Sequence, residues 1–118
     1  MAIIFIEPHL KHSDRCIIRT KIDLIFLNEI TYKKWIAPSG CNRARLGYDP
    51  DKKLLVIQLT KDGGYQIRKL VNGRSYNISA RAIMRHFNIP PGLTTEPTFD
   101  AKEKMILAPL AGKGLQEK

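Results

Sequence analysis

Residues 47–59 read GYDPDKKLLVIQL, and residues 99–110 read FDAKEKMILAPL. In each stretch an Asp opens a short polar turn and an apolar strand follows. Shifted by 51 positions, the distance from Asp49 to Asp100, the two superimpose: Lys53 falls on Lys104, Leu54 on Met105 and Leu59 on Leu110. Pro50 presets φ for a tight turn, so the first stretch reads as a β-hairpin. The second reads as its counterpart, with residues 100–103 as the turn.

Working outward, the same shift sets Asn28 on Ser79, and each residue reads as the start of a short helix. Asn28 accepts from the amides of a first turn in NEITYKKWI, where Glu29 suits the positive helix end. Ile30, Tyr32, Trp35 and Ile36 supply the buried side, and Pro38 and Gly40 stop the helix. Ser79 is expected to cap ARAIMRHF in the same way, with Ile83, Met84 and Phe87 inward and Pro90, Pro91 and Gly92 as the stop. Before the first helix, CIIRTKIDLIFL reads as one half-buried strand in which Arg19, Lys21 and Asp23 alternate with Thr20, Ile22 and Leu24. Before the second, residues 62–64 read as a hinge, 65–71 as a strand and Asn72-Gly73 as a two-residue turn.

A unit that recurs in this way predicts two similar halves on a shared core. The expected fold is mostly β, of the α+β class: two β-α-β-β repeats forming one shared barrel-like core with two short helices. The expected division is an N-terminal strand and loop over 1–15, a first unit over 16–62, a second over 63–110 and a flexible tail over 111–118.

The chain has 118 residues, 43% of them hydrophobic, with eight Gly and seven Pro, a composition of globular rather than disordered chains. No apolar run approaches the roughly 20 residues of a membrane helix. The apolar start, residues 1–6, lacks the basic flank and cleavage site of a secretory signal and reads as a strand. Cys16 and Cys41 are too few for a disulfide framework or a zinc site, and they read as buried thiols of a cytoplasmic protein.

The formal charge is +9, from 20 Lys and Arg against 11 Asp and Glu. The excess is concentrated: from Gly63 to Thr95 the chain carries Arg68, Lys69, Arg74, Arg81 and Arg85 and no acidic residue. Such a stretch favours an acidic partner, with nucleic acid first and an acidic protein surface second. Arginine binds phosphate through two parallel hydrogen bonds and reads guanine in a groove. With Arg19 and Lys21 on one strand face, the expected contact set is Arg19, Lys21, Arg68, Lys69, Arg74, Arg81 and Arg85. Tyr32, Trp35, Tyr48, Tyr65 and Tyr76 are candidates for base stacking, although aromatics more commonly fill cores.

Catalysis finds little support. His9 and His12 lack metal-site spacing, and His86 suits a helix C-terminus. Neither a nucleophile elbow nor a phosphate-binding glycine loop is present. Asp49, Asp51 and Asp100 occupy turns, where Asp is a turn former. The expectation is therefore a non-enzyme without metal or cofactor.

The unit of strand, short helix and hairpin, KIDLIFLNEITYKKW followed by ARLGYDPDKKLLVIQL, resembles the AbrB/MazE-type swapped-hairpin DNA-binding family. That family reads strand, Gly-Arg-Ile-x-Ile-Pro, short helix, hairpin. The resemblance covers residues 16–59 and, more weakly, 65–110. It implies two interlocked units forming one β-barrel whose basic face binds DNA, so that one chain imitates the family's dimer. Asn28 and Ser79 stand where the family has proline. Its Gly-Arg pair is replaced by Ile22-Asp23 in the first unit and matched by Gly73-Arg74 in the second, one residue further from the helix cap. By that match Arg74 is the first candidate for DNA contact. In style the chain also resembles small proteins of phage or mobile elements. The expected function is a non-catalytic DNA-binding transcriptional regulator. The alternative is a phage- or element-encoded inhibitor docking on an acidic host protein. The expected assembly is a monomer with pseudo-twofold symmetry or a homodimer.

Overall fold

Alternation between apolar and polar side chains gives each long strand one dry face, and two sheets press those faces together. The structure, a computed structural model, describes residues 15–70 and 75–110. In chain order the elements are β1 (Ile18–Lys21), β2 (Leu24–Asn28), α1 (Glu29–Thr31), a π-helical turn (Tyr32–Ile36), α2 (Ala37–Ser39), β3 (Arg43–Asp49), β4 (Leu54–Thr60), β5 (Tyr65–Gln66) and β6 (Arg68–Lys69). They continue with β7 (Ser75–Ser79), α3 (Arg81–His86), β8 (Thr94–Thr95), β9 (Thr98–Asp100) and β10 (Met105–Pro109). The protein is thus mostly β, with short helical segments after β2 and after β7.

Sheet I has the order β6-β7-β2-β1-β8 and sheet II the order β5-β3-β4-β10-β9, all neighbours antiparallel. Ile18, Ile25, Leu27 and Ile78 of sheet I meet Ala44, Leu55, Ile57, Leu59, Ile106 and Ala108 of sheet II in one buried cluster. Among the described residues the strands pair as two separate sheets, with no pairing that closes them into a single barrel.

At the middle of each sheet a strand from the first half of the chain pairs with one from the second. Phe26 of β2 stands opposite Asn77 of β7, and Val56 of β4 opposite Leu107 of β10. Both pairs are 51 residues apart. The hairpin turns match as well. Asp49 Oδ1 accepts from the amides of Asp51 and Lys52, and Asp100 Oδ1 from those of Lys102 and Glu103. Lys53 and Lys104 both close their turns with positive φ, at 52° and 56°. Each then reaches across: the Leu59 amide donates to Lys104 O, and the Leu110 amide to Lys53 O, both at 2.8 Å.

Asn28 caps its helix as expected, accepting from the Thr31 amide at 3.1 Å. It also fastens the chain ahead of β1, accepting from the Ile17 amide at 3.1 Å and donating to Arg15 O at 2.7 Å.

Several local expectations are corrected. CIIRTKIDLIFL is not one strand but the hairpin β1–β2 with Ile22 and Asp23 at its tip. Asp23 takes the left-handed conformation (φ 61°), which a short polar side chain tolerates, and leaves Ile22 75% exposed. Residues 65–71 are not one strand either. The chain leaves sheet II after Gln66 and enters sheet I at Arg68, while buried Ile67 donates its amide to Asn42 O. Ser79 does not cap α3. It ends β7 opposite Leu24, and Ala80 precedes the helix without a side-chain cap. The expected N-terminal strand, the Asn72-Gly73 turn and the C-terminal tail lie outside the described residues.

The crossover from sheet II depends on Gly64. Its φ is 69°, and a Cβ there would collide with the backbone carbonyl of Ala44. Gly64→Ala is expected to lower the unfolding free energy by roughly 3 kcal/mol, from left-handed strain plus the clash, read as a shifted midpoint in urea denaturation. Tyr76 supplies a second test. Its ring stacks on Tyr32 with centroids 3.9 Å apart, and burial, assisted by Tyr32 and Glu29 and opposed by Lys33, raises its phenol above the usual value. The folded state therefore holds this proton longer than the unfolded chain does. Its stabilisation is full below about pH 10 and declines as pH rises past that value. Denaturation at pH 8 and pH 10.5 is expected to show a smaller alkaline loss in Tyr76→Phe than in the wild type.

Candidate nucleic-acid interface

Strand alternation turns one set of sheet I side chains into the core and the other outward. Ile18 and Thr20 are buried on β1, so Arg19 and Lys21 face out. Ile25 and Leu27 are buried on β2, leaving Leu24, Phe26 and Asn28 on the outer side. Register then assembles a row that no single segment displays. Thr94 pairs with Arg19, Arg19 with Phe26, Phe26 with Asn77 and Asn77 with Arg68. The row therefore reads Thr94, Arg19, Phe26, Asn77, Arg68 across five strands. Beside it Lys21, Leu24 and Ser79 form a shorter row. No Asp or Glu stands in either row.

The two arginines occupy equivalent places on either side of the central Phe26–Asn77 pair. Three strand spacings separate them, about 14 Å. They differ in how they are held. Arg68 donates from Nε to Asn77 Oδ1 at 3.0 Å and from Nη2 to Ser79 Oγ at 3.1 Å. Both acceptors lie on β7, and together they fix the direction of its guanidinium. Arg19 projects from β1 beside an open cleft of about 280 Å³ that Lys21, Gly92, Leu93 and Thr94 also line. β1 is kept rigid there, since Thr20 exchanges hydrogen bonds with Pro90 O, Gly92 N and both backbone groups of Leu93. Lys21 Nζ lies over the Phe26 ring at 5.5 Å from its centroid, which draws a cation toward the middle of the face.

The structure brings together Arg19, Lys21 and Arg68 of the expected contact set and separates the rest. Lys69 pairs with Tyr76, whose ring points inward, so it leaves β6 on the side opposite Arg68. Arg81 is exposed at the start of α3, off the strand rows. Arg85 is committed elsewhere: its Nη2 lies 3.3 Å from Asp23 Oδ2, joining α3 to the β1–β2 tip. A segment without acids in sequence thus acquires one in space. Arg74, with its Gly73, lies outside the described residues. Of the aromatics proposed for stacking, Tyr32 stacks on Tyr76, Trp35 on Phe99 and Tyr48 leans on Phe87, while Tyr65 is 37% exposed.

Phe26, Thr94 and Ser79 belong to this surface, and Asn77, buried at 7% exposure, holds Arg68 from within it; the sequence reads none of them as a contact residue, and Ser79 only as a helix cap. The spacing of Asn77 and Ser79, two apart on one strand, places both on one face. Their partner Arg68 emerges only from the register. Among the described residues no three His, Cys, Asp or Glu side chains gather as metal ligands, and no helix is long and apolar enough to cross a membrane. Cys16 and Cys41 are buried and unbridged. Compared with known family models, curated proteins and solved structures, the chain matches none.

Proposed function

We propose that this protein is a non-catalytic, cytoplasmic DNA-binding regulator whose contact surface is the outer face of sheet I. The observation that carries the reading is the cross-strand row with Arg19 and Arg68 on either side of its centre and no carboxylate within it. The separation of about 14 Å between the two cations is of the order of the major-groove width, about 12 Å. Arg19 and Lys21 serve the phosphate backbone, where positive charge releases counterions. Arg68, held by Asn77 and Ser79, presents a fixed guanidinium and is the residue for base-edge recognition.

The same reading takes the chain as two β-α-β-β units interlocked around a barrel-like core, in the manner of the AbrB/MazE-type family. Aromatic exchange supports it: Trp35, beside the first hairpin in sequence, stacks on Phe99 of the second at 5.2 Å. Phe87, beside the second, packs on Tyr48 of the first at 5.0 Å.

Fluorescence anisotropy with random-sequence duplex DNA between about 50 and 200 mM salt tests the proposal. Affinity is expected to fall steeply with salt. Arg19→Ala is expected to weaken binding and to reduce the log–log salt slope by about one, whereas Arg68→Ala is expected to weaken binding to a selected site by roughly 1–3 kcal/mol with little change in that slope. Asn77→Ala is expected to weaken binding without changing that slope, because it loosens Arg68 and removes no charge. Arg85→Ala is expected to leave affinity near wild type and to lower stability by less than about 1 kcal/mol, as for an exposed ion pair. Absence of binding at the lowest salt would overturn the DNA reading and direct attention to an acidic protein partner.

A further inference from the structure

The two outer faces of this sandwich carry different chemistry. On sheet II the outward side chains form four cross-strand rows, one of them Arg43, Thr60 and Gln66 next to Arg45. Of the other three, Arg45, Gln58, Met105 and Asp100 make the first; Gly47, Val56, Leu107 and Thr98 the second; Asp49, Leu54 and Pro109 the third. The middle of this face is therefore apolar: Leu54, Val56, Met105 and Leu107 lie side by side on β4 and β10 and are only part-buried. Among the described residues no helical segment packs extensively on β4 or β10. An apolar sheet face left against water is costly, and patches of this kind mark contact surfaces.

We infer that this face docks a second copy of the same chain. Two features select that occupant. First, Val56 and Leu107 stand opposite each other at the middle of the β4–β10 pairing, so a twofold axis along the strands between them sets each over the other in the second copy. A patch of this kind is complementary in shape to itself, as a twofold interface requires. Second, its charges complement each other across a twofold axis. Arg45 and Asp100 stand at opposite ends of one row, on β3 and β9. A copy turned by 180° about an axis parallel to the strands sets its Asp100 over Arg45 and its Arg45 over Asp100. Gln58 and Met105 then lie between the two ion pairs, and in the neighbouring row Val56 of each copy meets Leu107 of the other, in the face-to-face sheet packing that holds layers about 10 Å apart.

The footprint is modest. Four strands at about 4.8 Å by up to seven residues at about 3.3 Å give a patch of roughly 19 by 23 Å, about 440 Å² on each copy, the size of a weak, transient interface. The dimer is therefore concentration-dependent. It leaves both sheet I faces uncovered, so it stands or falls independently of DNA binding.

Sedimentation velocity of the full chain from about 1 to 200 µM tests it. The wild type is expected to shift from monomer to dimer across this range. Leu107→Glu, at the centre, is expected to remain monomeric. Arg45→Glu, at an exposed site that tolerates substitution, sets a second carboxylate against Asp100 of the other copy and is expected to weaken association at least about tenfold. Circular dichroism confirms folding of each variant. A wild-type chain that stays monomeric at 200 µM would overturn the inference. So would a dimer indifferent to Arg45→Glu, which would lie on another surface. A dimer that forms only after residues 1–14 are removed would equally overturn it, because the chain's own N-terminal segment would then be the occupant.

Discussion

The fold depends on two antiparallel pairings between the halves of the chain, β2 with β7 and β4 with β10. An isolated two-stranded hairpin is marginal in water. Here the strands at the sheet edges, β5, β6, β8 and β9, have only two or three residues and could not persist alone. Joining β4 to β10 merges two hairpins into one sheet and lines up Leu55, Ile57, Ile106 and Ala108 as one buried face. Joining β2 to β7 does the same for Ile25, Leu27 and Ile78. Neither half has a complete core without the other, and the single buried cluster shared by both sheets follows from that. The cross-half bonds from Leu59 to Lys104 and from Leu110 to Lys53 lock the register at the points where a slip of one residue would turn the core outward.

The helical segments act as clasps on this frame. Asn28 holds the first to the chain entering β1, so a single side chain serves both a helix cap and a sheet margin. The second has no side-chain cap and is held instead from its flank, by Ala80 N on Asp23 O and by Arg85 on the Asp23 carboxylate. Asp23 can make both contacts because the β1–β2 tip presents it in the left-handed conformation. Trp35 on Phe99 and Phe87 on Tyr48 then bind each helical segment to the hairpin of the opposite half.

What sequence reading could reach was whatever is encoded within a short window. The Asp turns at 49 and 100, the apolar strands after them and the Asn28 cap are local chemistry, and the structure has each in place. The tip at Ile22 and Asp23 escaped because a β-branched residue followed by Asp lacks the Gly that marks a two-residue turn. The break at Ile67 escaped because a strand that changes sheets keeps its β-like composition on both sides. Ser79 has good capping chemistry, yet strand pairing with Leu24 and the hydrogen bond from Arg68 claim it first. The Arg85–Asp23 pair joins residues 62 positions apart and leaves no trace in either neighbourhood.

The candidate surface was half legible for a related reason. A uniform shift of 51 puts Arg19 on Leu70 and Lys21 on Asn72, so the sequence offers no counterpart for either cation. Register gives another answer. Lys21 pairs with Leu24 across a two-residue tip, whereas the Leu70 amide donates to Ser75 O across the four residues 71–74. The second connection is longer by two residues, and the strand ahead of it is displaced by that amount. Arg68 therefore occupies the place of Arg19, each opposite one member of the Phe26–Asn77 pair. The change from Phe26 to Asn77 matters as much as the displacement. An aromatic ring beside Arg19 offers no acceptor, while the Asn77 amide oxygen takes Arg68 Nε. Matching places in the register thus hold arginines in different settings, one beside an aromatic ring and one fixed in direction by an amide. For the proposed DNA contact that division is useful, since attraction of a polyanion needs only charge whereas discrimination along it needs a donor in a set place.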